Sequence, residues 1–391
     1  MGRPKKIIIE KVLTDEQTAK LEGNWIDESY MKFPVIRSNI DVYYKDDNGN
    51  VKLLLKYRKN SISNSLIRTG WKSYKDLAKP SRGRGASAGP IDQEGTYWKK
   101  RTIVNTNKWS TGYLTPQGNE IKDKLDKLSI EDLKIKAKNL SLTIDDEILN
   151  DKNKLIFFII EKEGGISRMK VNNQVASNPI GFYEASKNFC KLPCRLTHFT
   201  RTNYNKYNEG LPFIQRIDEM FHKLIPDAYQ KQLDQANKKP HLKIPNTSFS
   251  TITINRNFRT ALHRDAGDYK DGFGNLTVIE RGKYHGGYTI FPQFGVAVDV
   301  RNGDFLAMDV HQWHSNTPIY ETKEDKLFNE SLDPAFKDNP EVGTVGIYNK
   351  YTRLTFVCYL REKIANCPDE VPSEFLSKSG AKKIDINEDL I

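Results

Sequence analysis

Cysteine is scarce in this sequence: Cys190, Cys194, Cys358 and Cys367 are the only four in 391 residues. Four are too few for a disulfide framework in a chain this long, which sets aside the small bridged scaffold. Cys190 and Cys194 have no second cysteine pair nearby, and the closest imidazole is His198. That spacing is poor for zinc, so buried or free thiols and a reducing compartment are expected. No apolar run reaches the roughly 18 residues that a membrane-spanning helix needs, and no membrane association is expected. The first residues, Met1 to Glu16, hold neither an apolar core nor a small-residue cleavage site. A secretory leader is therefore not expected, and the cytoplasm or nucleus is. Acidic residues are also in deficit, with 50 Asp+Glu against 61 Lys+Arg and a formal charge of +11.

Positive charge and aromatic surface are what the chain has in quantity. Its 18 Tyr, 18 Phe and 5 Trp argue against global disorder, because burying them offsets chain entropy. The excess charge favours an anionic partner. Gly2-Arg3-Pro4-Lys5-Lys6 is an extended basic segment resembling half of an AT-hook, which would set Arg3 against DNA; the bland alternative is a disordered basic start. Ser81-Arg82-Gly83-Arg84-Gly85 has neither helical nor strand periodicity and reads as a mobile loop from which Arg82 and Arg84 reach phosphates.

Five regions follow from the patterning. Residues 1–24 form a basic arm with a short helix. Residues 25–119 open the main unit, with a hairpin (Ile40–Tyr44 and Val51–Leu55 around Asn48-Gly49) and then a loop-rich stretch anchored by Trp71, Trp98 and Trp109. Residues 120–166 turn helical: Ser129 with Asp132 is a helix start, and Ile130, Leu133 and Ala137 share a face. Two short helices around an extended link resemble SAP-like DNA-binding modules; a plain helical insertion is the alternative. Residues 167–375 form the core, with a helix over 211–238 beginning near Pro212. Short strands follow at Thr251–Ile254, Leu276–Ile279, Tyr288–Phe291, Val296–Val298, Phe305–Met308 and Leu354–Val357. Residues 376–391 are a tail. Many short strands punctuated by turn residues predict a sandwich or jelly roll.

The chemistry concentrates late in the chain. His263-Arg264-Asp265 sets an imidazole and a carboxylate at one strand exit, and His314 follows in His311-Gln-Trp-His314-Ser-Asn-Thr-Pro318. Two imidazoles and one carboxylate suit Fe(II) with three positions left open. Arg353-Leu354-Thr355 lies inside a strand, and a buried guanidinium beside a hydroxyl clamps a dicarboxylate. His311 reads as a supporting or buried residue, His285 as part of a turn, and His198 as strand packing; none has the spacing of a primary ligand.

With Gly286-Gly287-Tyr-Thr-Ile-Phe-Pro292 and Gly303-Asp304-Phe-Leu-Ala-Met-Asp309 between them, these parts stand in the order found in Fe(II)/2-oxoglutarate dioxygenases. His314–Ile319, Thr352–Arg361 and His263-Arg-Asp-Ala-Gly-Asp268 narrow the resemblance to the TET/J-binding-protein (JBP) family of nucleic-acid base dioxygenases. The resemblance is good over 249–361 and looser over 25–118 and 167–362. It implies an α+β fold, a double-stranded β-helix (jelly roll, cupin-like) flanked by helices. It implies His263, Asp265 and His314 on iron, and Arg353 with Thr355 on 2-oxoglutarate, with Arg259 as a second anion contact. It places Asp268 at the target base and Tyr359 stacked upon it. Arg361 falls where animal members carry a His facing the pyrimidine, a departure.

The resulting expectation is a monomeric enzyme that binds double-stranded DNA, flips a base and uses Fe(II), 2-oxoglutarate and O2 to oxidise its methyl group. An ionised Asp268 accepting from N4 and an Arg361 donating to N3 or O2 favour 5-methylcytosine, giving 5-hydroxymethylcytosine. Thymine hydroxylation to 5-hydroxymethyluracil is the nearest alternative. A protein hydroxylase and a DNA-binding protein with a dead site stand behind it.

Overall fold

The computed structural model describes residues 4–81, 84–90, 103–107, 110–142, 144, 146–169, 175–185, 193–333, 335–336 and 351–369. They fall into two compact units, one from Met1–Ser81 with Val175–Ile391 and the other from Arg82–Gln174.

The larger unit is organised on a ten-stranded sheet. Its order is Lys5–Ile9, Ile40–Lys45, Val51–Arg58, Phe305–Met308, Gly274–Arg281, Thr352–Tyr359, Thr251–Arg256, Val175–Tyr183 and Pro80–Ser81, with Arg195–Leu196 also beside Val175–Tyr183. Pairing is antiparallel except between Lys5–Ile9 and Ile40–Lys45. Opposite part of this sheet lies a three-stranded one, Thr289–Phe291 between Val296–Val298 and Ser315–Asn316. A short pair, His285–Gly286 with Ile319–Tyr320, adds to it.

Strand alternation decides what each face buries. Leu354, Phe356 and Cys358 join Ile252, Ile254, Phe305 and Ala307 on one side, against Phe213, Ile217 and Phe221 of a helix. Leu276, Val278, Leu306 and Met308 point the other way and meet Phe291, Val296 and Val298 of the small sheet. Two facing, mainly antiparallel sheets with a helical layer outside form the jelly roll that the strand spacing predicts, the double-stranded β-helix that the family resemblance implies. Each large apolar side chain so buried contributes about 1.5–3 kcal/mol. Arg353, Thr355 and Tyr359 lie on the alternate positions of their strand and face the interior between the sheets.

Several local expectations need correction. The basic arm is not free, because Lys5–Ile9 pairs residue for residue with Ile40–Tyr44; Arg3 lies outside the described residues. The stretch read as loop-rich contains the helix Asn64–Tyr74, capped by the Ser63 hydroxyl on the Leu66 amide. The helix expected from about 211 is two, Tyr204–Leu224 and Pro226–Ala236. Pro212 sits inside the first, where burial of Tyr207, Phe213, Ile214 and Ile217 outweighs the lost hydrogen bond. His198 opens the helix His198–Thr202 rather than lying in a strand.

The cysteine expectation also fails for one pair. Cys194 and Cys367 form a disulfide, 173 residues apart in sequence, while Cys358 is a buried free thiol. The pair removes the ground for reading a reducing compartment from cysteine usage. Cys190 lies outside the described residues, as do Trp98 and Trp109.

The smaller unit is more than two helices. A three-stranded sheet (Ile103–Asn107, Ser110–Leu114, Ile166–Met169) accompanies helices Pro116–Leu125, Ile130–Asn139, Asp146–Leu149 and Lys152–Lys162. Its core is Leu114, Leu125, Leu133, Ala137, Leu155, Ile156, Ile159 and Ile160. Ser129 and Asp132 make the reciprocal capping box that their spacing predicts. The unit thus begins well before residue 120, and its sheet has no counterpart in a SAP-like helix pair.

Helix Tyr204–Leu224 packs against helix Asn64–Tyr74 at Gly210, where an added Cβ would stand 2.1 Å from Tyr74 Cζ. The Tyr74 hydroxyl donates to the Tyr207 carbonyl at 2.9 Å, so its ring cannot retreat freely. Gly210→Ala is expected to lower stability by about 1–3 kcal/mol, measured by denaturant unfolding.

Candidate active site

The site starts where the Thr251–Arg256 strand ends. Asn257 turns the chain in a left-handed conformation (φ 48°). Its amide donates to the Arg353 carbonyl at 2.9 Å, its Oδ1 accepts from the Arg353 amide at 2.7 Å, and its Nδ2 donates to the Tyr351 carbonyl at 2.9 Å. Three bonds clip the exit of one strand to the start of the strand that carries Arg353. Sequence reading missed this residue, although an Asn immediately after an alternating run is a turn signal.

Six residues on, His263 meets His314 in an isolated antiparallel bridge, each amide donating to the other's carbonyl at 3.0 Å. Residues opposed in this way project side chains to the same side, and the two imidazoles lie 4.4 Å apart, centre to centre. Each ring is oriented by its own chain: Nδ1 of His263 donates to the Ala261 carbonyl at 2.8 Å, and Nδ1 of His314 to the Gln312 carbonyl at 2.9 Å. A carbonyl only accepts, so Nδ1 carries the proton and Nε2 is left as a lone-pair donor.

Asp265 completes the cluster, its amide fixed on the Val310 carbonyl at 3.0 Å. Its Oδ1 is 3.6 Å from His263 Nε2 and its Oδ2 is 3.7 Å from His314 Nε2. The ligand atoms of all three residues fall within 4.8 Å of one another. Burial, and next the neighbouring His263, push the His314 imidazole down to about 4, so it is neutral at physiological pH, as a metal ligand must be.

Arg353 supplies an independent mark of a ligand site. It is 2% exposed, and one terminal nitrogen donates to the Thr355 hydroxyl. Its Nε and its other terminal nitrogen are buried with no hydrogen-bond partner among the described residues. Buried donors of this kind are nearly always satisfied, and two on one planar fork match a carboxylate. Thr289 Oγ1 is likewise buried without a partner among the described residues. It lies on the face of its strand that Phe291 shares, and the Phe291 ring is 6.2 Å from that of His314. Sequence reading missed Thr289; only its alternation with Ile290 points to it.

The far side of the site is made by annealing the loop after Asp265 to the end of the last strand. Tyr269 N donates to the Leu360 carbonyl at 2.8 Å, Glu362 N donates to the Gly267 carbonyl at 3.0 Å, and Asp268 and Arg361 bridge between them. Asp268 Oδ2 is buried and unpartnered among the described residues. Burial, followed by the Asp265 charge, holds its carboxyl well above the usual carboxylate range, while Arg361 pulls the other way. Tyr359 is 8% exposed and its hydroxyl meets that of Thr253 at 3.1 Å.

Two arginines are spent differently from expectation. Arg259 donates to the Ile26 carbonyl at 2.8 Å and the Asn316 carbonyl at 3.4 Å, and lies over Trp25 at 4.9 Å. It ties down the 25–27 segment, which takes up donors that a second anion contact needs. Arg361 gives Nε and one terminal nitrogen to the Glu184 carboxylate. Of the basic loop, Arg82 lies outside the described residues. Arg84 belongs to the smaller unit, half-buried, its carbonyl capping Ser87. His311 contacts the Tyr269 carbonyl at 3.2 Å, and His285 pairs with Asp325 at 3.0 Å.

Residues 178–362 match the family model Tet_JBP, the oxygenase domain of the 2OGFeDO superfamily. That superfamily uses Fe(II), 2-oxoglutarate and O2. Among curated proteins the chain is similar to the bifunctional helicase and thymine dioxygenase JBP2 of Leishmania tarentolae, 30% identical over 182 residues, 46% of this chain and 14% of that one. It is 33% identical to JBP2 of Trypanosoma cruzi over 156 residues, 39% of this chain and 14% of that one. It is 31% identical to the thymine dioxygenase JBP1-B of T. cruzi over 181 residues, 46% and 19% of the two chains. The match thus spans a small part of these relatives' own length. The solved structure of NgTET1 in complex with 5mC DNA overlays 94% of this chain and 99% of that one at a TM-score of 0.42 and 10% identity, a likeness too loose to carry an argument.

The donor set fits Fe(II) and the orphaned guanidinium fits the cosubstrate's distal carboxylate. Arg353→Lys keeps the charge and loses the fork, so 2-oxoglutarate affinity is expected to fall about ten- to a hundredfold, the equivalent of about 1–3 kcal/mol. Anaerobic titration of the Fe(II)-loaded protein, followed by its charge-transfer absorbance, checks this; unchanged affinity contradicts it.

Proposed function

We propose, from the premise that residues 178–362 are an oxygenase domain of the Tet_JBP type, that this protein hydroxylates the methyl group of a 5-methylpyrimidine in DNA. The observation that carries the reading is the pairing of a His263–Asp265–His314 cluster with a buried, half-satisfied Arg353 facing the same interior.

His263, Asp265 and His314 hold Fe(II), and Arg353 with Thr355 takes the far carboxylate of 2-oxoglutarate. With O2, this pair supplies the insertion of one oxygen atom into a methyl C–H bond, releasing succinate and CO2. The protein's own work is to orient and enclose. The inward-facing strand positions hold the cosubstrate away from water. A methyl group in the major groove of an intact stack cannot enter such an interior, so the nucleotide is flipped. Tyr359 stacks on the extruded ring and Asp268 meets its 4-position. The +11 charge of the chain favours the phosphate backbone.

Thymine is the base best supported. Thymine and 5-methylcytosine carry the same methyl and differ at the 4-position, an O4 acceptor against an N4 donor. A carboxyl held toward its neutral form, as Asp268 is, donates to O4. Two of the three guanidinium nitrogens of Arg361, the side chain that would donate to a cytosine N3 or O2, are engaged by Glu184. The curated relatives named above are themselves thymine dioxygenases. The second reading, 5-methylcytosine to 5-hydroxymethylcytosine, applies where Asp268 meets the base as a carboxylate, the form that the Arg361 charge favours.

Incubation with methylated duplex DNA, digestion and nucleoside mass spectrometry tests the reading. The expected product is 5-hydroxymethyluracil, lowered about tenfold or more by Asp268→Ala, in line with a lost base-edge contact of about 1–3 kcal/mol. Product confined to 5-hydroxymethylcytosine moves the assignment to the second reading. Succinate release with neither base altered rejects DNA base oxidation.

A further inference from the structure

Arg361 and Asp268 oppose each other in an antiparallel bridge, which makes them natural partners for an ion pair. They do not form one. Both oxygens of Glu184 take the guanidinium in a bidentate pair, with one contact at 2.6 Å. Asp268 Oδ2 is left buried with no hydrogen bond among the described residues. The capture is braced from several sides. The Tyr183 ring has the guanidinium of Arg195 over it at 5.2 Å and that of Arg361 at 5.2 Å. Arg195 also donates to the carbonyls of Glu184 at 3.3 Å and Pro193 at 3.1 Å, and the Arg361 amide donates to Ser250 Oγ at 3.0 Å.

We propose that Glu184 is a positioning residue whose task is to hold Arg361 away from Asp268, so that the Asp268 carboxyl stays free for the base. Two carboxylates compete for one guanidinium, and the winner is the one that does not touch substrate. Without the Glu184 charge, Asp268, which opposes Arg361 across the bridge and already feels its charge, is the acid on hand for the guanidinium, and pairing there occupies the group that reads the 4-position. Base selection therefore depends on a side chain that precedes the metal motif by 79 residues (263 minus 184) and contacts neither iron nor base. The inference rests on the base-oxidation reading, and it makes a claim that survives a change of substrate.

The test is a mutant cycle in the full chain. Glu184→Gln is expected to lower hydroxymethyl product about tenfold or more while leaving anaerobic 2-oxoglutarate binding to the Fe(II) protein unchanged. In an Arg361→Gln background the competitor is gone, so adding Glu184→Gln costs nothing further. An equal loss from Glu184→Gln in both backgrounds overturns the proposal, as does no loss in either. A second arm needs no turnover. Asp268→Asn in the parent removes a half-buried acid whose Oδ2 is buried without a partner among the described residues, and leaves the melting temperature the same or higher. In the Glu184→Gln background it removes the new partner of Arg361 and lowers the melting temperature by about 2–4 °C. The same response in both backgrounds overturns the proposal. A parent that oxidises no base defeats the functional reading alone, and this arm still decides the role of Glu184.

Discussion

The site depends on one backbone contact, the two-way bridge between His263 and His314. Each amide donates to the other's carbonyl at 3.0 Å, and this alone sets two imidazoles from distant parts of the chain side by side. Register makes the contact unforgiving, since a slip of one residue turns either imidazole to the opposite face. The neighbouring bonds protect the register: Asp265 to Val310 below the bridge, and Asn316 to Thr260 above it, both at 3.0 Å. The metal cluster is thus a property of strand pairing, and the side chains merely project from it.

The same economy explains why the resting protein tolerates unsatisfied groups. Arg353 leaves two nitrogens, and Asp268 one oxygen, buried without partners among the described residues. Each such atom costs about 1–3 kcal/mol. Local stability is given up where ligands arrive, and occupancy returns it, since anything that binds only the folded state stabilises it by mass action. The apolar layers formed by Phe213, Phe221, Phe249, Phe291 and Phe356 carry the unit through that deficit. Function and stability are divided between the two faces of a single strand: Leu354, Phe356 and Cys358 pack, whereas Arg353, Thr355 and Tyr359 look inward.

Much of this was legible in sequence because it is periodic or local. His263-Arg-Asp265, the strands at Val296–Val298 and Phe305–Met308, the Asn48-Gly49 hairpin and the Ser129/Asp132 cap each announce themselves within a few residues. The failures share a different cause. Helix Asn64–Tyr74 carries Gly70 in its middle, needed for contact with Phe213, and that glycine weakens the helical signal. The Cys194–Cys367 bond spans 173 residues and the Arg361–Glu184 pair spans 177, with no local pattern to reveal either. Arg259 reads as an anion contact until Ile26 and Asn316 are seen to occupy it. Residue type shows what a side chain is able to do; only the fold shows which partner has already taken it.

A crystal structure of the protein grown anaerobically with Fe(II) and 2-oxoglutarate tests the account most directly. It predicts one metal ion bound by Nε2 of His263, Nε2 of His314 and a carboxylate oxygen of Asp265, with the cosubstrate's distal carboxylate on the two now-orphaned nitrogens of Arg353. A metal bound away from these three atoms, or a cosubstrate whose far carboxylate does not meet Arg353, contradicts it.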